Sequence, residues 1–309
     1  MTTLVRFPDT TTEVFDRTRD AFLGNDVHGG MDTLRASLRN LRARLAPPEW
    51  FAFGEQARRH PLHGLLLESP FTRRAFTKPR GYAGDAVLMD LIYGAAPAGR
   101  ELSPLGGMLY GIEFDSPCFQ SVRTRRGVLA REIDDVAAER RNARVLSIAC
   151  GHMREIEWSR AVREGSVSIT AVDQDRESLD VIDQQYGSYG VCTVSGTVGD
   201  LLRRSLRFRE MDLIYASGLY DYLDTDIARA LTTALFRMLS PGGRLFIANF
   251  TPVTRDAAFM EAMMDWRLVY RTEEDMRLLT AGITGAELAG IQQFSDDNGH
   301  ITYLRLVRQ

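Results

Sequence analysis

A short apolar run, Val145-Leu146-Ser147-Ile148-Ala149, leads into Cys150-Gly151-His152-Met153-Arg154 and then into a segment with helical patterning. A small residue at Ala149 and a glycine at Gly151 let a backbone pass close to a ligand. A second apolar run, Ser168-Ile169-Thr170-Ala171-Val172, ends in Asp173, roughly 22 residues after Gly151. A carboxylate there can accept hydrogen bonds from both hydroxyls of an adenosine ribose. Gly199-Asp200-Leu201 follows a third run and offers a carboxylate and backbone groups to an adenine edge. Ala216-Ser217-Gly218 ends a fourth run with small residues where a ligand must lie close, and Leu239-Ser240-Pro241-Gly242-Gly243-Arg244 is a stop and turn before a fifth. Each turn alone is an ordinary tight connection, Gly-Asp is a common turn pair, and Cys150 alone reads as a small buried thiol. Their order along the chain joins them into one candidate site, because ligands of an open parallel sheet bind beyond the carboxyl ends of its strands.

The elements that would position these residues follow from the same pattern. Apolar strands at 145–149, 168–172, 191–194, 211–216 and 244–250 alternate with helical segments at 155–163, 176–185 and 227–239. That alternation predicts an α/β fold, a Rossmann-like doubly wound, mostly parallel sheet with helices on both faces. Near the end, Ile291–Phe294 and Ile301–Leu306 flank Asp297-Asn298-Gly299, a turn signal that predicts a C-terminal antiparallel β-hairpin. Residues 1–120 read as a helical N-terminal domain and 121–309 as the α/β domain, the latter opening on a helix from about Ser121 to Glu139 with Val122, Leu129, Ile133 and Val136 on its apolar face. Met31, Leu34, Leu38, Leu41 and Leu45 form a stripe that either packs inside the N-terminal domain or pairs two subunits, and Pro47-Pro48 stops that helix. Asp85 is placed to cap a helix carrying Val87, Leu88, Leu91 and Ile92.

Composition narrows the function classes. The chain is 309 residues long, 44% hydrophobic and 26% charged, with a formal net charge of −3, so no broad nucleic-acid-binding surface is expected. The first residues carry acids and no apolar core segment, and no apolar run approaches a membrane span, so a cytoplasmic protein is expected. Cys118, Cys150 and Cys192 are scattered without a CxxC pair or a His partner at zinc spacing, so no metal is expected.

The ordered strand ends and the terminal hairpin resemble the class I S-adenosylmethionine-dependent methyltransferases over roughly residues 120–309. In that family the first loop is usually acidic-x-Gly-x-Gly-x-Gly. Here Ser147, Ala149, Gly151 and Met153 stand at those positions, so one of the glycines is kept. The absence of G-x-G-x-x-G argues against a nicotinamide or flavin enzyme. The resemblance implies S-adenosylmethionine as cofactor. Ala149, Cys150 and Gly151 would contact its amino-acid part, Asp173 its ribose, and Gln174, Gly199, Asp200 and Leu201 its adenine, with Ser217 and Gly218 beneath the sulfonium and Tyr82 and Arg126 also toward the cofactor. The combination KPRGYAGD, SVRTRR, the ACG turn and SGLYDYL is similar to a bacterial subfamily that makes 3-hydroxypalmitate methyl ester. Related natural-product enzymes that methylate the guanidino nitrogen of arginine look similar too.

Two chemistries stay open at this point. A carboxylate acceptor is ionised at neutral pH and needs no base, only a cationic anchor such as Arg80 or Arg126; a hydroxy fatty acid is the leading substrate. An amine or guanidine acceptor must lose a proton, for which Glu113, Asp115 and Asp221 are available. Tyr82, Tyr220 and Tyr222 offer aromatic faces to a sulfonium cation, although Tyr220 and Tyr222 equally suit packing at a helix start. The expected catalytic set is therefore Tyr82, Glu113 and Asp221, and the expected substrate set is Arg80, Tyr93, Tyr220, Tyr222 and Asn249. A small-molecule substrate, no nucleic acid, no membrane and an allowed homodimer complete the expectation. A non-catalytic cofactor-sensing protein of the same fold is the rival from another class.

Overall fold

The computed structural model describes residues 9–95 and 102–309. They divide into two compact units: described residues up to Gln120 with Arg255–Arg267, and Ser121–Thr254 with Leu268–Gln309. In chain order the helices of the first stretch are α1 (Asp9–Leu23), α2 (Val27–Arg44), α3 (Pro47–Ala57), α4 (Pro61–Leu66), α5 (Pro70–Thr77), α6 (Ala86–Tyr93) and α7 (Pro104–Phe114). Then come α8 (Pro117–Glu139), β1 (Ala143–Ile148), α9 (Arg160–Arg163), β2 (Val167–Asp173), α10 (Arg176–Tyr186), β3 (Val191–Ser195), α11 (Val198–Leu202), β4 (Met211–Ser217), α12 (Thr225–Phe236) and β5 (Leu239–Phe250). The chain closes with α13 (Ala257–Met263), α14 (Glu273–Leu278), β6 (Leu288–Ser295) and β7 (Ile301–Arg308). Among the described residues no helix is long and apolar enough to cross a membrane.

The second unit is built on one seven-stranded sheet in the order β3-β2-β1-β4-β5-β7-β6. The first five strands pair in parallel; β7 pairs antiparallel with both β5 and β6. This is the Rossmann-like, mostly parallel sheet with an antiparallel end that the alternation of runs predicts. The central strands are apolar on both faces because both are covered: Val145, Leu146, Leu213, Ile214, Leu245 and Ile247 are all buried. One face forms a cluster in which Ile148, Ile214 and Ile247 pack with Leu231 and Leu235 of α12 and Leu304 of β7. Ile148 stands beside Val172 on one side and Ala216 on the other, so the loops after β1, β2 and β4 leave the sheet at one edge.

Some boundaries differ from the sequence expectation. The helical segment after β1 is two short pieces, a 3-10 turn at Arg154–Glu157 and α9, separated where Ser159 caps α9 with its side chain. The helix expected to run to Leu239 ends at Phe236, and Leu239 already belongs to β5. Arg255–Arg267, assigned by sequence to the α/β domain, fall with the N-terminal unit.

Within the first unit, Asp85 caps α6 by accepting from Leu88 N at 2.8 Å, and its carboxylate also takes both arms of Arg74. Met31, Leu34 and Leu38 are buried, whereas Leu41 and Leu45 are only half-buried. Pro47 and Pro48 begin α3 as its first helical residues. Segment 255–267 is tied in by Glu261, which accepts from the Arg42 guanidinium at 2.7 and 2.9 Å and from Trp50 Nε1 at 2.7 Å. His63 Nε2 meets Met263 O at 2.8 Å, and Lys78 pairs with Asp265 at 2.6 Å.

Candidate cofactor and methyl-transfer site

The strand order reverses between β1 and β4, and the crevice beyond their carboxyl ends is where a ligand of such a sheet binds. The loop leaving β1 takes left-handed backbone at Ala149 (φ 52°), Gly151 (φ 54°) and Met153 (φ 49°). These are the positions that glycines occupy in the family pattern. Ala149 and Met153 adopt the glycine-like conformation without being glycine, which costs about 1 kcal/mol or more each. The loop therefore has left-handed backbone at all three positions although only one of them is glycine.

Asp173 braces that loop. It is 6% exposed. Its Oδ2 accepts from Gly151 N at 2.8 Å and its Oδ1 from Asp175 N at 2.9 Å. A carboxylate has about four acceptor positions, so capacity remains for a ribose diol. Burial pushes its proton affinity up, and the backbone donors of Asp175, Gly151 and Gln174 pull it back. Gln174 is exposed beside it, while Ala149, Gly151, Ser217 and Gly218 are half-buried along the strand ends. Gly218 has φ 108°, a conformation that excludes most side chains.

Around this loop the structure adds residues that the sequence did not single out. Glu155, 7% exposed, accepts from Tyr215 OH at 2.7 Å. Burial raises its proton affinity, and Tyr215, Arg125 and Arg126 act against that. Arg125 is 4% exposed on α8, with Nη1 3.8 Å and Nη2 4.0 Å from where a Cβ on Gly218 would stand. Its neighbour Arg126, expected at the cofactor, stacks instead over the Trp158 ring at 3.9 Å.

Other expected cofactor residues have structural work. Leu201 is 1% exposed and packed into the sheet core, so its side chain cannot border an adenine. Asp200 closes a capping box at the start of α11, accepting from Thr197 N at 3.0 Å and Thr197 Oγ1 at 2.6 Å. Those bonds hold its proton affinity down to about 2. Gly199 lies in α11 with Arg203 across it. The Cys150 thiol is buried, which with the Asp173 and Glu155 charges keeps it protonated; its backbone N–H donates to Val172 O.

Beyond β4, Asp221 is 2% exposed, and its Oδ1 accepts from Phe250 N at 2.7 Å. Burial raises its pKa to about 7, against the pull of that backbone bond and of Arg125 and Arg271. Tyr220 and Asn249, expected to touch substrate, are buried with their polar atoms hydrogen-bonded inside the protein. Tyr220 is fully buried with its hydroxyl 3.1 Å from Thr232 Oγ1. Asn249 donates to Phe250 O and Val269 O and accepts from Arg271. Arg271 also donates to Tyr220 O and Leu223 O, both at 2.6 Å. This buried knot joins the ends of β4 and β5 to segment 268–271, and Val269 N from that segment donates to Asp221 O at 2.7 Å. Tyr222 is 42% exposed.

The remaining expected residues belong to the first unit. Arg80 and Tyr82 are half-buried in the loop between Lys78 and Asp85, and Tyr93 is the last residue of α6. Glu113 is 2% exposed and accepts from Ser69 Oγ and Thr72 Oγ1, both at 2.5 Å. Ser69 caps α5, so Glu113 fastens α7 to the start of α5, and burial lifts its pKa to about 7. Both its oxygens are spent on packing, which removes it from the catalytic set. Among the described residues, no group of three or more His, Cys, Asp or Glu is placed to hold a metal ion.

Residues 145–243 match a family model described as a methyltransferase domain. No curated protein matches the chain. Among solved structures, a possible exported protein from Bordetella parapertussis superposes with a TM-score of 0.60 at 19% identity, covering 86% of this chain and 98% of its own. The N-methyltransferase NodS from Bradyrhizobium japonicum, solved with S-adenosylhomocysteine, gives 0.45 at 17% identity over 63% of this chain and 89% of its own. Magnesium protoporphyrin IX methyltransferase from Synechocystis gives 0.46 at 15% identity over 63% and 88%. The methyltransferase-domain match covers residues 145–243, the part of the chain that holds β1 to β4 and Asp173.

Proposed function

We propose that the methyl acceptor is a nitrogen of a small molecule, an amine or a guanidine. The observation that carries this reading is Asp221, a buried carboxylate directly after β4 whose pKa is raised to about 7. When bound, the cofactor supplies a methyl group on a sulfonium sulfur for in-line displacement. A protonated nitrogen must lose a proton to attack, and a carboxylate oxygen of Asp221 takes it. A base poised near the working pH combines availability with driving force. Phe250 N holds the Asp221 carboxylate and Asn249 holds Phe250 O, so little ordering remains to be done when the acceptor arrives. Asp221 and Glu155 together disfavour a second anion, which weighs against a carboxylic acid acceptor.

The methyl-ester reading, with a hydroxy fatty acid as substrate, rests on the sequence resemblance carried by KPRGYAGD, SVRTRR and SGLYDYL. The two readings separate cleanly in solution. Nitrogen methylation predicts a rate that rises with pH through about 7 and falls about a hundredfold or more in Asp221→Asn. Ester formation predicts neither, because its nucleophile carries no proton. Labelled methyl transfer to arginine-like amines and to 3-hydroxy fatty acids, measured across that pH range, decides between them. Three free cysteines suit a reducing, cytoplasmic setting for either reaction.

A further inference from the structure

The sheet of the second unit has two edges, β3 and β6. An edge strand presents a row of backbone N–H and C=O groups to any strand that comes alongside, and proteins blunt such edges with short strands, charges or proline. β3 has five residues. β6 has eight, Leu288 to Ser295, without one charge or proline. Among the described residues it pairs with β7 alone. Its large apolar side chains are open to solvent, Ile291 by 46% and Phe294 by 36%.

The charges beside it are occupied. Arg305 of β7 pairs with Glu132 and donates to Gln292 Oε1. Arg277 of α14 donates to Gln293 Oε1 at 2.8 Å, and Gln293 Nε2 donates to Glu273 O at 2.8 Å. From Gly290 to Ser295 the pairing with β7 is regular, so Gly290, Gln292 and Phe294 share one face of β6, and Ile291 and Gln293 the other. Nothing lies within 4 Å of where a Cβ on Gly290 would stand. Phe294 is already ordered, stacked on Tyr303 at 5.0 Å between ring centroids. The strand is complementary to itself when run antiparallel. A two-fold axis through Gln292 sets Phe294 of each copy opposite the open space at Gly290 of the other, an aromatic ring covering an edge glycine. The same axis sets Ile291 opposite Gln293.

We propose that two copies of this chain dimerise through β6, antiparallel about Gln292, joining their sheets into one. A two-fold axis makes such a contact isologous and closed. A second copy is the occupant because the edge carries no charge by which a partner of different composition would be selected, and because ring and open space lie on the same strand. β6 is three strands from β4, about 14 Å at the usual strand spacing, so the crevice beyond β1 and β4 stays open in the dimer.

Sedimentation velocity of the whole protein from about 1 to 100 µM tests it, and the wild type is expected to pass from monomer to dimer in that range. Ile291→Lys changes an exposed side chain, so it should stay folded by circular dichroism and weaken dimerisation about tenfold or more. In a Cys192→Ser background, which removes the exposed thiol, Gln292→Cys should give a disulfide-linked dimer under mild oxidation. Facing residues of an antiparallel pair lie about 4.5–5.5 Å apart between Cα atoms, within disulfide reach. Gln293→Cys in the same background should not cross-link, because Ile291 faces it. A wild type that stays monomeric to about 100 µM overturns the proposal. So does a dimer that Ile291→Lys leaves intact, or one that cross-links no better through Gln292→Cys than through Gln293→Cys. Should Ile291→Lys unfold, the two cysteine variants decide alone.

Discussion

Glu113→Gln should leave methyl transfer intact and change how the protein's stability depends on pH. Folding lifts the Glu113 pKa from 4.5 to about 7, chiefly by burial, against the hydrogen bonds from Ser69 and Thr72. A folded-state pKa above the unfolded one means that the proton favours the folded state. The contribution is therefore complete below about pH 4.5 and is lost as pH rises through about 7. The gap between the two values corresponds to roughly 3 kcal/mol at most, and about 2–3 kcal/mol of it falls between about pH 5 and pH 8. Glutamine keeps an acceptor for one hydroxyl and offers a donor to the other, without the titration. The variant should match the wild type at about pH 5 and exceed it by about 2 kcal/mol at about pH 8. Urea unfolding followed by tryptophan fluorescence reads this directly, since Trp50 and Trp266 are both buried in the same unit as Glu113. Parallel pH profiles for the two proteins would refute the buried-carboxylate reasoning. A collapse of turnover with unchanged stability would return Glu113 to the catalytic set.

Further outcomes follow from the β1 loop and the knot. Asp173→Ala removes the acceptor that holds Gly151 N and Asp175 N. It should weaken S-adenosylhomocysteine binding by about 1.5–3 kcal/mol in a protein that circular dichroism shows still folded, and unchanged affinity would end the ribose assignment. Ala149→Gly relieves a left-handed residue and frees the unfolded chain, effects that nearly offset, so thermal unfolding should move by no more than about 1 kcal/mol and affinity should hold. A marked loss of affinity would mean that the methyl group itself touches the cofactor. Tyr220→Phe loses one hydroxyl contact to Thr232 and should cost about 1 kcal/mol of stability with turnover unchanged; a selective fall in turnover would put the hydroxyl at the reaction centre.

The sequence by itself determined the sheet and the place of the site. Alternating apolar runs can be buried only by a parallel sheet with covered faces, and the Asn-Gly turn sets a hairpin after it. The positions of Asp173, Gly151, Ser217 and Gly218 were legible because each ends a strand or lies in the loop just after one, and strand ends converge at one edge wherever such a sheet forms. Periodicity could also have pointed to Arg125, which sits three residues after Val122 and four before Leu129, on the face that α8 buries. Arg126 lies one step round the helix and lands on Trp158.

Tertiary structure alone decided what the polar residues are for. Glu113 and Asn249 have the types expected of reacting groups, yet their hydrogen-bonding atoms are taken by Ser69, Thr72 and Arg271, partners far away in sequence. Leu201 and Tyr220 stand beside the right strand ends but point into the core. Glu155 and Tyr215, 60 residues apart, become a pair only when β4 lies beside β1. A local pattern fixes which face of an element is apolar. Which polar group stays available depends on what the packed chain brings against it, and that no local pattern records.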